Sequence, residues 1–79
     1  MNIDFKKVSY LSWLALVYTP YINDLIKIEN IILERMNNYG LKFSVVDINS
    51  TYKRPCIRFE TESDEAYFIM IADELKKLG

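Results

Sequence analysis

The sequence has no histidine, a single cysteine, two glycines and two prolines. Without histidine, the Ser-His-Asp and Cys-His catalytic sets cannot be assembled, and neither can zinc sites built from Cys and His. One cysteine cannot form a disulfide within the chain. Gly40 stands alone, so there is no glycine-rich loop to hold a nucleotide phosphate. We therefore expect a non-enzymatic protein with no metal ligands and no cofactor.

The composition is that of a small folded domain. The 79 residues are 51% apolar and 27% charged, which is far from the composition of disordered chains. Ten Lys and Arg residues face eleven Asp and Glu residues, giving a formal charge of -1. This balance lacks the basic excess of a typical nucleic-acid-binding domain. We expect a single domain that spans residues 1–79.

One uncharged segment, residues 8–22, requires comparison with a signal peptide or membrane span. It is shorter than the roughly 20 residues that a spanning helix needs, it contains Pro20, and no small-residue cleavage site follows it. The lone thiol of Cys56 lies in an apolar run, which is typical of a buried cysteine in a reducing compartment. The sequence therefore predicts a cytoplasmic protein.

The apolar spacing predicts an α+β fold with two N-terminal helices, an antiparallel β-hairpin and a C-terminal helix (ααββα). The first helix is expected over residues 5–18, because large apolar side chains recur every three or four positions there: Phe5, Val8, Leu11, Leu14 or Ala15, and Tyr18.

A second helix is expected from Thr19 and Pro20 to about Tyr39. Thr19 fits an N-cap, and Pro20 fits the first helical position, where its missing N–H costs nothing. Gly40 can adopt the left-handed conformation that ends many helices, and Leu41 can then pack back onto the last turn.

The period changes to two after Gly40, which predicts strands over residues 41–46 and 57–60 joined as a hairpin. Thr61 and Asp64 then match the capping pattern of a helix N-terminus, which predicts a third helix to the end of the chain.

Four acids lie within six residues near the start of that helix: Glu60, Glu62, Asp64 and Glu65. Such a cluster suggests a divalent-cation or paired-carboxylate site, but acids are also common at helix N-termini because they complement the helix dipole. We favour the dipole explanation, because the spacing lacks the glycine and the terminal Glu of a calcium-binding loop.

A small domain has limited capacity to bury apolar side chains, and the predicted first helix carries a second apolar face with aromatic residues. The hairpin tip adds the only concentration of basic residues, beside a tyrosine. These features predict a partner-binding surface at Tyr10, Trp13, Val17, Tyr21, Tyr52, Lys53 and Arg54.

A short chain rich in Ile, Asn, Lys and Tyr is similar in style to accessory proteins of phages and mobile elements, which commonly bind and inhibit or redirect a host protein. This resemblance and the aromatic face together favour a protein-binding module that occludes its partner. The alternatives are an obligate homo-oligomer such as a homodimer, or a small subunit of a larger assembly. Packing of the aromatic face in the core, a membrane-interface helix, nucleic-acid binding at the hairpin tip and a small carboxylate enzyme also remain open.

Overall fold

The computed structural model describes residues 2–47 and 55–78, and it contains a four-stranded antiparallel sheet with two helices. The sheet order is β1-β2-β4-β3, so each half of the chain contributes one edge strand and one central strand. The elements along the chain are β1 (Asn2–Ser9), β2 (Ser12–Tyr18), α1 (Ile22–Asn38), β3 (Phe43–Asp47), β4 (Pro55–Phe59) and α2 (Glu62–Lys76).

The α+β class is confirmed, but the ααββα order is wrong, because the predicted first helix is the β1–β2 hairpin. The register pairs Asn2 with Tyr18 and Phe5 with Ala15. Strand β2 is central and has apolar residues on both of its faces, so its apolar positions also fall at spacings of three and four. This is why residues 5–18 resemble a helix in sequence although they form a hairpin.

The turn between β1 and β2 contains none of the residues that usually mark a hairpin. Leu11 adopts a positive φ of 61°, a conformation that glycine or asparagine normally supplies. The Leu11 side chain is buried in the core, and its carbonyl accepts the Phe59 amide at 2.8 Å. Packing and this bond to β4 therefore hold a turn for which the sequence gives no signal.

Helix α1 begins two residues later than predicted and ends as predicted. Its N-cap is Tyr21, whose amide donates to Thr19 Oγ1 at 3.3 Å, and Pro20 lies before the helix. At the other end Gly40 has a φ of 82°, its amide donates to the Asn37 carbonyl, and the next amide donates to the Met36 carbonyl. These two bonds form a Schellman motif, which confirms the predicted role of Gly40.

Helix α2 confirms the predicted capping pattern. Thr61 is the N-cap, and its Oγ1 accepts the Asp64 amide at 3.2 Å while its hydroxyl donates to Asp64 Oδ2 at 2.7 Å. The Lys42 amide also donates to Asp64 at 3.3 Å, which ties the start of α2 to the segment before β3.

Both helices pack on one face of the sheet. The register places Ile3, Ala15, Val17, Ile57 and Phe59 on that face, and all five belong to the buried core. The helices contribute their buried residues to the same core: Ile28, Ile32 and Met36 from α1, and Phe68, Ile71 and Leu75 from α2.

The centre of this core is aromatic. The Phe68 ring lies 5.0 Å from Phe5, 5.2 Å from Trp13 and 4.9 Å from Phe59, measured between ring centroids. One residue of α2 therefore contacts β1, β2 and β4 together.

The opposite face of the sheet carries no helix within residues 2–47 and 55–78. Leu14 and Cys56 are paired on this face, and both are buried. Neither helix in the described part of the chain is long and apolar enough to cross a membrane.

Candidate partner-binding surface

The strand directions separate the predicted partner-binding residues into two groups. The β1–β2 turn with Tyr10 lies at the end of the sheet where β4 ends and α2 begins. The other end holds the end of β2, the start of α1 with Tyr21, and the register pair Asp47 and Pro55. Since β2 extends about 3.4 Å per residue, about 20 Å separates the two ends.

At the first end, Tyr10 contacts helix α2 through its hydroxyl group. The hydroxyl donates to Glu62 Oε1 at 2.7 Å, while the Tyr10 side chain remains largely exposed. This hydrogen bond, with the nearby charge of Glu62, raises the pKa of the Tyr10 phenol above its ordinary value. Tyr10 is accessible to a partner, but its polar atom already has an intramolecular acceptor.

Trp13 lies on the helix-covered face, where it forms a cluster with Glu65 and Lys7. Its indole Nε1 donates to Glu65 Oε2 at 2.8 Å, and Lys7 Nζ lies 2.9 Å from the same oxygen. The Lys7 ammonium is also 5.9 Å from the Trp13 ring centroid, within the range of a cation–π contact. Trp13 is half-buried, and both its ring and its N–H are occupied within the chain.

The acidic cluster seen in the sequence is divided among separate contacts. Glu62 accepts from Tyr10, Asp64 caps α2, and Glu65 accepts from Trp13 and Lys7. Among the described residues, no group of three or more Asp, Glu, Cys or His side chains is arranged to hold a metal ion. The acids near the start of α2 therefore connect the helix to the β-strands.

Among the acids whose burial the structure describes, Glu65 is the most buried, with 9% of its surface exposed. The Trp13 hydrogen bond and the Lys7 hydrogen bond hold the pKa of its carboxyl below the ordinary value, and these contacts outweigh the opposing effect of desolvation. The carboxylate is therefore charged in the folded protein at neutral pH.

We expect this cluster to stabilise the fold only while Glu65 is ionised. Its pKa is lower in the folded protein than in the unfolded chain, so the stabilisation is present above the unfolded value of about 4.3 and is lost as the pH falls towards the folded value. Urea unfolding should show the wild type about 1 kcal/mol more stable than Glu65→Gln at neutral pH. The difference should shrink as the pH falls below the unfolded value, because Glu65 then becomes protonated. A difference that stays constant with pH would show that the charge of Glu65 contributes nothing.

The remaining predicted residues have different environments. Val17 is 1% exposed in the core, so it offers no surface to a partner in the folded protein. Tyr21 is 67% exposed at the N-cap of α1. Tyr52, Lys53 and Arg54 lie outside the described residues, and their role stays a prediction.

Tyr21 belongs to a group of exposed apolar side chains that we call the Tyr21 patch. Its members are between 55% and 72% exposed: Tyr18, Tyr21, Ile22 and Ile26. Tyr18 ends β2, Tyr21 caps α1, and Ile22 and Ile26 are one helical turn apart on the same flank of α1. Chain geometry limits the Cα atoms of Tyr18 and Tyr21 to about 11 Å apart, so both residues lie near one end of the sheet. The side chain of Tyr18 lies on the same face of β2 as Leu14, opposite the helices.

Sequence reasoning identified Tyr21 but missed the rest of the patch. It placed Tyr18 in the predicted first helix and did not select Ile22 or Ile26 as partner-binding residues. Their closeness in sequence to Pro20 was the available signal, because proline usually marks the boundary of an element. Comparison with protein-family models, with curated proteins and with solved structures finds no match to this chain.

Proposed function

We propose that the protein is a non-enzymatic protein-binding module, an inhibitor or modulator that binds its partner through the Tyr21 patch and occludes the surface it covers. The observation that carries the proposal is the exposure of four large apolar side chains, each more than half exposed, at one end of the sheet. Most large apolar side chains of a small domain are needed for its core, so a cluster left outside it is typical of an interaction surface.

The residue types of the patch suit protein recognition. Two of its members are tyrosines, which combine a large apolar ring with a hydroxyl and few rotatable bonds. Exposed polar residues on the first turns of α1, Asn23 and Lys27, lie beside Ile22 and Ile26. An apolar centre with a polar border is the usual composition of a protein–protein interface.

We expect replacement of the patch to weaken binding strongly without affecting the fold. In the variant Tyr21→Ala with Ile22→Ser, both altered side chains are largely exposed, so stability should change little. The tagged wild type would be used to capture a partner from lysate of the source cells, and binding to the purified partner would then be measured by calorimetry. We expect the variant to bind at least about tenfold more weakly, as removal of interface anchors usually does.

Met70→Ser provides the matched control, because Met70 is 79% exposed but lies on α2, away from the Tyr21 patch. It should bind like the wild type. Equal affinity of the patch variant and the wild type would exclude the patch as the binding surface. Equal weakening by both variants would indicate non-specific apolar adhesion.

We also propose that the protein acts in the cytoplasm. The support is Cys56, a free thiol that is 4% exposed and lies between apolar neighbours on the central strand β4. A buried free cysteine without a disulfide partner is typical of proteins in reducing compartments.

A further inference from the structure

Strand β1 is an edge strand, and its outward backbone groups can be assigned from the register. The Leu11 carbonyl accepts from Phe59, so the odd-numbered residues of β2 bond to β4 and the even-numbered ones bond to β1. The β1 partners of those even residues are Asn2, Asp4 and Lys6. The amides and carbonyls of Ile3, Phe5 and Lys7 therefore point away from the sheet.

We infer that two copies of this chain pair through β1, antiparallel and centred on Phe5, so that their two four-stranded sheets join edge to edge. A long edge strand with outward amides and carbonyls is a ready template for strand addition. Strand β1 has eight residues, and no described residue pairs with its outer side.

The charges on β1 select one register for this pairing. With Phe5 opposite its own copy, Asp4 of each chain lies directly opposite Lys6 of the other, so the two-fold axis creates two attractive pairs. A shift of the register by two residues places Asp4 opposite Asp4, or Lys6 opposite Lys6. A shift by one residue would place the outward groups of Ile3, Phe5 and Lys7 opposite residues that already bond to β2, so no regular ladder could form.

The position of helix α2 also favours a pairing of the two β1 strands that is centred on Phe5. Glu65 near its start contacts Lys7, and Lys76 at its end lies 3.6 Å from Asp4, so α2 runs along β1 with its middle near Phe5. Ile69 lies on the same flank of α2 as Glu65 and Lys76, by helical spacing, and it is 54% exposed. Pairing of β1 with its copy brings the two Ile69 side chains towards the two-fold axis, where each gains apolar cover.

Asp4 makes different contacts in the monomer and in the dimer. Its Oδ1 accepts the Phe5 amide at 2.8 Å, which satisfies one outward backbone group of the free edge. In the dimer, the Phe5 amide donates instead to the Phe5 carbonyl of the second copy, and the Asp4 carboxylate turns to Lys6 of that copy. The intramolecular bond therefore competes with association and weakens the dimer.

Charge reversal tests the register. Sedimentation should show the wild type as a reversible dimer at concentrations up to about 100 µM. Asp4→Lys alone places Lys opposite Lys6, and Lys6→Glu alone places Glu opposite Asp4, so each variant should dimerise at least about tenfold more weakly. An equimolar mixture of the two variants restores both attractive pairs and should form heterodimers.

The outcomes separate this inference from the proposed function. A wild type that remains monomeric over the whole range would overturn the dimer, and so would a mixture no more associated than its separate components. Circular dichroism would confirm that each variant is folded. The Tyr21→Ala, Ile22→Ser variant should dimerise like the wild type, because its substitutions lie outside β1. If instead that variant alone loses dimerisation, the two copies pair through the Tyr21 patch.

Discussion

Phe68→Ala is expected to lower the free energy of unfolding by about 3–5 kcal/mol, the usual cost of truncating a fully buried phenylalanine. Phe68 has no exposed surface, and its ring contacts three aromatic rings from three strands. The substitution removes the aromatic contacts of α2 with β1, β2 and β4 at once and leaves a cavity between the three remaining rings. A domain with a total stability of about 5 kcal/mol would retain at most about 2 kcal/mol, so a measurable fraction would be unfolded at 37 °C.

Urea unfolding followed by circular dichroism would measure this loss. Met70→Ala on the same helix is the control, because it removes a comparable apolar side chain that is almost fully exposed, and it should change stability by less than about 0.5 kcal/mol. A loss below about 1 kcal/mol for Phe68→Ala would mean that the aromatic cluster does not anchor the helix to the sheet.

The second half of the chain could be predicted from sequence because each of its elements has a local physical signal. Gly40 alone can adopt the required left-handed conformation cheaply, and Thr61 with Asp64 satisfies the first amides of α2. The alternation of apolar residues after Gly40 then matches β3, and the alternation after Cys56 matches β4. Local chemistry and global fold agree in this half of the chain.

The first half lacks such signals. Leu11 occupies a turn position that normally requires glycine or asparagine, and it is held there by burial and by the bond to Phe59. Both of these contacts depend on residues distant in sequence. Without a visible turn, residues 5–18 form one uninterrupted apolar pattern, and the helical interpretation of that pattern is wrong.

The predicted partner surface combined core residues with exposed ones, because the β1–β2 hairpin was predicted to be a helix. On a helix, Trp13, Val17 and Tyr21 would share one face, whereas on β2 the side chains of Trp13 and Val17 both turn to the core and Tyr21 lies beyond the strand. The acids of α2 could not be paired with Tyr10 and Trp13 from sequence, because 52 positions separate the partners. Tyr21 was selected because it is an aromatic residue. It is exposed because it lies in the connection between the end of β2 and the start of α1.

Trp13→Ala is expected to reveal whether this tryptophan serves the fold or a partner. It should cost about 2–4 kcal/mol, somewhat less than a fully buried Trp, because the ring is half-buried. The loss has three sources: the edge contact with Phe68, the hydrogen bond to Glu65, and the cover that the indole gives to the Lys7 and Glu65 pair. Its removal leaves the Glu65 carboxylate in a poorly solvated site with one partner fewer.

Trp13→Phe helps to separate these sources, since it keeps an aromatic ring against Phe68 while it removes the N–H donor and the smaller ring of the indole. It should cost about 1–2 kcal/mol, and the cost should decrease at acidic pH, where Glu65 is no longer charged. At a temperature where both variants remain folded, their affinity for a partner should equal that of the wild type, because the indole faces the core. If Trp13→Ala kept full stability but lost binding, the indole would have to leave Glu65 to contact the partner, and the surface predicted from sequence would include Trp13 after all.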